Sequence, residues 1–241
     1  MRAHPWRATQ EEKDDVHPYT IPESVKERVL RRKGRLICLD TIDPAKTALV
    51  VIDMQNHFVA EGFPSEAPPA RGIVDNINRM SSALREVGGT VVWIQTTATD
   101  ALNRWANHHR HGLRPEVRDR RLASLAEDAP GFQLYPALQA QPNDLYIRKI
   151  MFSAMLPVSS NLHETLRGRD IDTVLIAGTT TNVCCDSTAR DAMMLDYRVA
   201  LLSDATATRH DEEHAATLNN FQLFFGDVMT IDEAIERLGR E

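Results

Sequence analysis

The stretch that most constrains this chain is residues 173–191, TVLIAGTTTNVCCDSTARD. Its first five residues, from Thr173 to Ala177, form an apolar and largely β-branched run, the composition of a strand buried on both faces. Gly178 breaks the run, three threonines and Asn182 follow, and from Asp186 to Leu195 the pattern turns helical. A strand, a tight turn and a helix opening at a cysteine are therefore predicted. The N–H groups of a first helical turn have no partners within the helix, and together with the helix dipole they favour an anion. A thiol placed there is expected to ionise more readily and to be a better nucleophile for it. A free cysteine is also commonly a small buried hydrophobe, and this stretch alone leaves both readings open.

The same alternation runs through the rest of the chain. Apolar runs at 48–52, 90–95, 144–149 and 198–203 read as strands, with a short one at Val228. Helical spacing fills the gaps: Ile73, Ile77, Met80, Leu84 and Val87 lie on one face, and further helices are expected at 161–169, 211–224 and from Asp232. Residues 96–142 read as a long irregular region with one weak helix near 115–127. Strands alternating with helices predict an α/β fold, a single-domain three-layer α/β/α arrangement around a mostly parallel six-stranded sheet. The domain proper is expected at 47–241, preceded by an N-terminal arm at 1–46 in which Pro22 opens a short helix and Gly34 ends it.

Composition narrows the function. The chain has 241 residues and a formal net charge of -6, with Lys and Arg spread along it, which gives no support to nucleic-acid binding. No run approaches the roughly 18 apolar residues of a membrane span, and the first 15 residues lack the apolar stretch of a signal peptide. Three cysteines, two of them adjacent, do not make a disulfide framework. Cys38 reads as structural, and a reducing, cytoplasmic setting fits best.

In a parallel sheet with helices on both faces, ligands sit beyond the carboxyl ends of the strands. Three strands here run into a chemically useful residue: Asp53, Lys149 and Cys184. Singly, Asp53 also reads as a helix cap or turn residue and Lys149 as an exposed charge. Jointly, a carboxylate, an ammonium and a thiol on one edge read as a site.

Three motifs carry a family resemblance: LVVIDMQNHF from Leu49, YIRKIMFSAM from Tyr146 and IAGTTTNVCCDSTARDAMMLDYRV from Ile176. In that order, they make residues 47–241 resemble the isochorismatase-like cysteine hydrolases, whose sheet is Rossmann-like. The resemblance implies an amidase in which Asp53 is the base, Lys149 holds the anionic partners and Cys184 is the nucleophile. Cys185 occupies a position more often valine in that family. It further implies a cis peptide between Thr179 and Thr180, with the N–H groups of Thr180 and Cys184 as the oxyanion hole.

Gln55, Asn56, Phe152 and Ser153 follow the base and the lysine closely and are candidate substrate contacts, with loop packing as their alternative role. Nicotinamidases of the family carry a metal on a DxH pattern. Here the corresponding stretch has Asp100, His108, His109 and His111 but no DxH, so neither metal nor other cofactor is expected and those histidines are read as a solvated loop. The expected substrate is a small ureide or carbamoyl amide, with isochorismatase-type and nicotinamidase-type hydrolysis, or a catalytically silent binding protein of the same fold, as alternatives. The resemblance also implies a homo-oligomer, tetramer or dimer. The arm offers it an apolar stripe of Val25, Val29 and Leu30 and a basic face of Arg28, Arg31, Arg32 and Lys33, with Asp211, Glu212 and Glu213 as an acidic counterpart.

Overall fold

The computed structural model describes residues 17–239. In chain order the elements are α1 (Glu23–Lys33), β1 (Thr47–Ile52), α2 (Asn56–Val59), α3 (Val74–Glu86), β2 (Thr90–Thr96), α4 (Ala101–Arg104), α5 (Ala106–His111), α6 (Pro115–Ser124), β3 (Leu145–Lys149), α7 (Leu162–Arg167), β4 (Thr173–Thr179), α8 (Asp186–Met194), β5 (Arg198–Ala207), α9 (Asp211–Phe224), β6 (Asp227–Met229) and α10 (Ile231–Arg237). The six strands form one sheet in the order β3-β2-β1-β4-β5-β6, and every pairing is parallel. β1 and β4 are buried at every residue, as their continuous apolar runs require when both faces are covered. Successive side chains on β1 feed two cores. Leu49 and Val51 join Ile77, Met80 and Leu84 of α3 on one face. Ala48, Val50 and Ile52 join Leu166 of α7, Ala189 of α8 and Phe221 of α9 on the other.

The order 3-2-1-4-5-6 reverses direction between β1 and β4, and a crevice opens beyond the strand ends at such a switch point. Gly178 brings these two ends together. It pairs with Ile52, and its φ of 110° lies where only glycine is at ease. A Cβ there would stand 2.1 Å from the Ile52 carbonyl oxygen. The residues that follow, Asp53 on one strand and the turn after Thr179 on the other, are thereby set side by side. The peptide bond between Thr179 and Thr180 is cis.

Three details differ from expectation. The helix expected near 115–127 is α6, but residues 96–142 also hold α4 and α5, and Gln55 forms a β-bridge to Leu134. The helix expected from Asp186 begins there, but Cys184 does not stand in its first turn, because residues Thr181–Cys185 form a single π-helical turn ahead of it. β5 runs four residues past Ser203, with a register shift against β4 between Ile176 and Gly178.

Residues 17–46 of the arm pack on the rest of the chain, and residues 1–16 lie outside the described residues. Val25 and Val29 of α1 bury against Leu223 of α9, whereas Leu30 stays exposed. Gly34 ends α1 in the left-handed conformation and donates its N–H to Leu30 O at 2.8 Å. Asp227 accepts the N–H groups of Cys38 and Leu39 at 2.7 and 2.8 Å, and Lys33 Nζ donates to Gly226 O at 2.7 Å. The Cys38 side chain is exposed. Among the described residues no helix is long and apolar enough to cross a membrane.

Candidate active site

Four neighbouring strands bring four side chains to one edge. Lys149 is the last residue of β3, Thr96 the last of β2, Asp53 follows β1, and Cys184 follows β4 by one turn. Register places Thr96 opposite Lys149. Asp53 leaves β1 at φ 53°, a left-handed conformation that aspartate tolerates, and its N–H reaches across to Ile94 O on β2. The resulting contacts are continuous. Lys149 Nζ lies 2.8 Å from Asp53 Oδ2 and donates to Thr96 Oγ1 at 2.7 Å. Thr96 Oγ1 in turn donates a hydrogen bond to Asp53 Oδ1 at 2.8 Å. Lys149 Nζ also donates to Met151 O at 3.1 Å and lies 3.5 Å from Cys184 Sγ. With three protons for four acceptors, the ammonium gives its longest contact to sulfur.

The cluster is dry. Asp53 is 0% exposed, Lys149 1% and Cys184 6%. Burial, then the Asp53 carboxylate that hydrogen-bonds it, pushes the Cys184 thiol up to about 12, against the pull of Lys149 and Arg121. The more reactive, acidified thiol expected from a helix start is thus corrected: the dipole is outweighed by desolvation and a neighbouring anion. Burial alone would lower Lys149, but the Asp53 carboxylate, and Cys184 once it is ionised, override it and raise its pKa. Cys185 is fully buried, and burial raises its thiol well above the usual range.

Over Cys184 lies a cleft of about 240 Å³. Thr180, Val183 and Cys184 form its floor, Phe58, Phe152 and His108 its aromatic wall, and Arg120, Arg121 and Arg209 its cationic rim; no carboxylate lines it. Arg121, on α6, sits 5.7 Å over the Phe58 ring, and among the described residues no carboxylate pairs with it within 4.0 Å. Its burial lowers its pKa, while Cys184 and Asp53 pull the other way; a guanidinium stays charged regardless. Arg209, just past β5, is held by the carbonyls of Ser65 and Glu66 at 2.9 and 3.2 Å.

Of the four candidate substrate contacts, Phe152 lines the cleft. Gln55 is fully buried, donating to Thr96 O and Phe132 O and accepting from Thr96 N, so it braces β2. Asn56 donates to Pro130 O at 2.9 Å, and Ser153 Oγ accepts from Met155 N at 3.2 Å. The solvated loop expected for the histidines is corrected as well. His108 stacks on Trp105 with ring centres 3.9 Å apart and faces the cleft, and His109 is 2% exposed. Burial and Arg121 lower His108 to about 4, so this wall is neutral. His111 is exposed. Among the described residues no group of three or more His, Cys, Asp or Glu side chains is arranged to hold a metal ion.

A family model described as "Isochorismatase domain" matches residues 47–233. A ureidoacrylate amidohydrolase, RutB of Rhizobium rhizogenes, is 31% identical over 219 residues, covering 80% of this chain and 83% of that protein. The crystal structure of a cysteine hydrolase from Pseudomonas syringae superimposes with a TM-score of 0.70 at 29% identity, covering 81% of this chain and 93% of that one. N-carbamoylsarcosine amidase from Thermoplasma acidophilum follows at a TM-score of 0.62 and 26% identity, covering 78% and 97%. A matched domain of this length, on a sheet whose strand ends gather Asp53, Lys149 and Cys184, shows that the chain belongs to the isochorismatase family of hydrolases.

Proposed function

We propose that the chain is a cysteine-dependent amidohydrolase that cleaves one C–N bond of a small, carboxylate-bearing ureide or carbamoyl amide. The observation that carries this reading is the contact of Asp53, Lys149 and Cys184 beneath a cleft whose charged lining residues are all arginine. Asp53 takes the Sγ–H proton as sulfur attacks the carbonyl carbon. The carbonyl oxygen becomes an oxyanion, for which the N–H groups of Thr180 and Cys184, on the cleft floor, are the proposed donors. The C–N bond breaks and the leaving nitrogen takes the proton back from Asp53, leaving a thioester. Water then attacks, Asp53 receives its proton, and the thiol is restored as the acid product departs. Thr96 and Lys149 hold the carboxylate in place from both oxygens.

The arginine rim supports an anionic substrate, because an unpaired guanidinium favours a bidentate carboxylate. The names of the relatives, ureidoacrylate amidohydrolase and carbamoylsarcosine amidase, point the same way. Ammonia release across ureidoacrylate, N-carbamoyl amino acids, biuret and nicotinamide tests the reading. The carboxylate-bearing ureides are expected to lead the neutral compounds by roughly 100-fold in kcat/KM, the value of one desolvated charge pair. A preference for nicotinamide, or no turnover of any member, would overturn it.

A further inference from the structure

The matched domain begins at residue 47, yet one side chain of the arm reaches the back of the active site. His17 is 6% exposed and packs at the start of α9, with Tyr19 beside it: the Tyr19 hydroxyl donates to Asn219 Oδ1 at 3.0 Å and its ring meets His214 edge-on. The Nδ1 of His17 lies 2.6 Å from Asp211 Oδ1, at the start of α9. Its Nε2 lies 3.1 Å from the N of Thr208 and 3.2 Å from that residue's O. A neutral ring that gives its Nδ1 proton to Asp211 accepts the Thr208 N–H at Nε2. Thr208 is the neighbour of Arg209 on the cleft rim.

Two paths lead from this histidine to the turn that carries the nucleophile. Thr208 Oγ1 donates to Asn182 Oδ1 at 2.8 Å, with Glu213 Oε2 as an alternative acceptor at 3.3 Å. The His17 ring also stacks on His214, centres 4.6 Å apart and planes 21° from parallel. His214 Nδ1 in turn meets Thr181 Oγ1 at 2.9 Å. Both Thr181 and His214 are fully buried. Thr181 and Asn182 lie between Thr180 and Cys184, the two residues of the cleft floor proposed to receive the oxyanion. Burial lowers His214 to about 3, so the second path rests on a neutral ring.

We infer that His17 is a positioning residue of this active site: it fixes the main chain at Thr208, and with it Arg209 and the Thr181–Cys185 turn, in the geometry that binds an anionic substrate. The inference rests on the amidohydrolase reading for its kinetic test but not for its chemical one. A hydrogen-bonded ring wedged between a helix start and a loop main chain defines where that loop sits. An arm whose only task was anchorage has α1 and the Lys33 and Asp227 contacts for that purpose.

Three variants separate the roles. His17→Leu keeps bulk but offers Thr208 no acceptor; His17→Gln restores one; Val29→Ala loosens the arm on α9 away from the cleft. The kinetic readout is KM against kcat on a carboxylate-bearing ureide. The chemical readout is the ratio of iodoacetate to iodoacetamide alkylation rates at Cys184, which needs no substrate and reports how well the arginine rim draws an anion. His17→Leu is expected to raise KM about tenfold with kcat changed less, the size of one net hydrogen bond lost from the pocket wall, and to lower the alkylation ratio in step. His17→Gln is expected to recover both, and Val29→Ala to lower Tm while leaving both at wild-type values. The inference is overturned if His17→Leu leaves KM and the ratio unchanged, or if Val29→Ala shifts them equally. If the wild type turns over no ureide, the amidohydrolase reading fails and the alkylation ratio alone decides the role of His17.

Discussion

Replacing Asp53 by Asn is expected to make Cys184 more reactive towards a simple electrophile while abolishing hydrolysis. In the folded chain the thiol stands at about 12 because it is buried and because the Asp53 carboxylate lies against it; Lys149 and Arg121 oppose both effects. Asn removes the anion, keeps the shape and leaves Lys149 Nζ 3.5 Å from the sulfur. Both the sulfur and Asp53 Oδ2 touch that same ammonium. Two unit charges so placed, about 4–6 Å apart, repel by roughly 3–4 kcal/mol at an effective dielectric of about 20. Removing that repulsion raises the thiolate fraction near neutral pH by roughly 100- to 1,000-fold. The assay is the rate of iodoacetamide incorporation at Cys184 between pH 7 and 10, in a Cys38→Ser, Cys185→Ala background so that one sulfur is read. The parent is expected to react slowly, its rate climbing about tenfold per pH unit with no plateau. Asp53→Asn is expected to react at least 100-fold faster at pH 7.5 and to release no ammonia. An unchanged or slower alkylation rate in Asp53→Asn, or a plateau below pH 8 in the parent, would refute the reasoning.

Cys184→Ala is expected to lose all turnover, whereas Cys185→Ala, whose sulfur has only a weak 3.9 Å contact to Ala177 O, keeps most of it; the reverse outcome in a steady-state assay would move the nucleophile by one residue. Gly178→Ala drives a Cβ to within 2.1 Å of a backbone oxygen at a φ of 110°, so a loss of about 3 kcal/mol or more in denaturant unfolding is expected. Acid should destabilise the fold through His57 and His214, each lowered to about 3, first by burial. A histidine whose folded pKa is depressed stabilises fully above its unfolded value near 6.5 and loses that contribution as pH falls towards 3, so each costs about 2 kcal/mol by pH 5. A Tm that stays flat from pH 7 to pH 5 contradicts this.

The parts of the fold legible in the sequence are those whose physics is local. β1 and β4 are unbroken apolar runs because both of their faces are covered, and Gly178 stands out because nothing else fits there. Asp53, Lys149 and Cys184 are legible for a related reason: each lies at or within one turn of a strand's carboxyl end, and a parallel sheet gathers such ends on one edge. Thr96 obeys the same rule as the last residue of β2 and was open to the same argument, but a threonine ending a strand of β-formers gives no signal of its own. Arg121 and Arg209 were not legible. Arg121 sits half-buried on α6 and comes to Cys184 only because residues 96–142 fold over the sheet edge; Arg209 sits in an exposed loop past β5, placed there by the carbonyls of Ser65 and Glu66. His108 and His109 were misread for the same cause, since α4 and α5 are too short to announce themselves by periodicity. His17 lies beyond any strand–helix pattern, and its partners Thr208, Asp211 and His214 are more than 190 residues away along the chain.

The thiol is where local and tertiary physics disagree, and the disagreement bears on how the reaction starts. Read from its neighbours in sequence, Cys184 is a helix-start cysteine that ionises easily. In the fold it is a buried thiol against a carboxylate, and losing its proton to solvent would leave two anions facing one ammonium. Passing the proton to Asp53 is different. Before transfer the cluster holds one carboxylate, one ammonium and a neutral thiol; after it, a neutral acid, the same ammonium and a thiolate. Net charge is unchanged, so the desolvation that resists ionisation to bulk water largely cancels for transfer inside the cluster. Lys149, with contacts to both ends of the move at 2.8 and 3.5 Å, stays beside whichever atom is negative. A thiol that resists solvent titration is then no obstacle to nucleophilic attack on a bound carbonyl. It also guards the resting sulfur from electrophiles and oxidants until a substrate occupies the cleft. On the proposed mechanism, then, the site needs Asp53 in order to attack a carbonyl, and needs it equally to keep Cys184 quiet when no carbonyl is there.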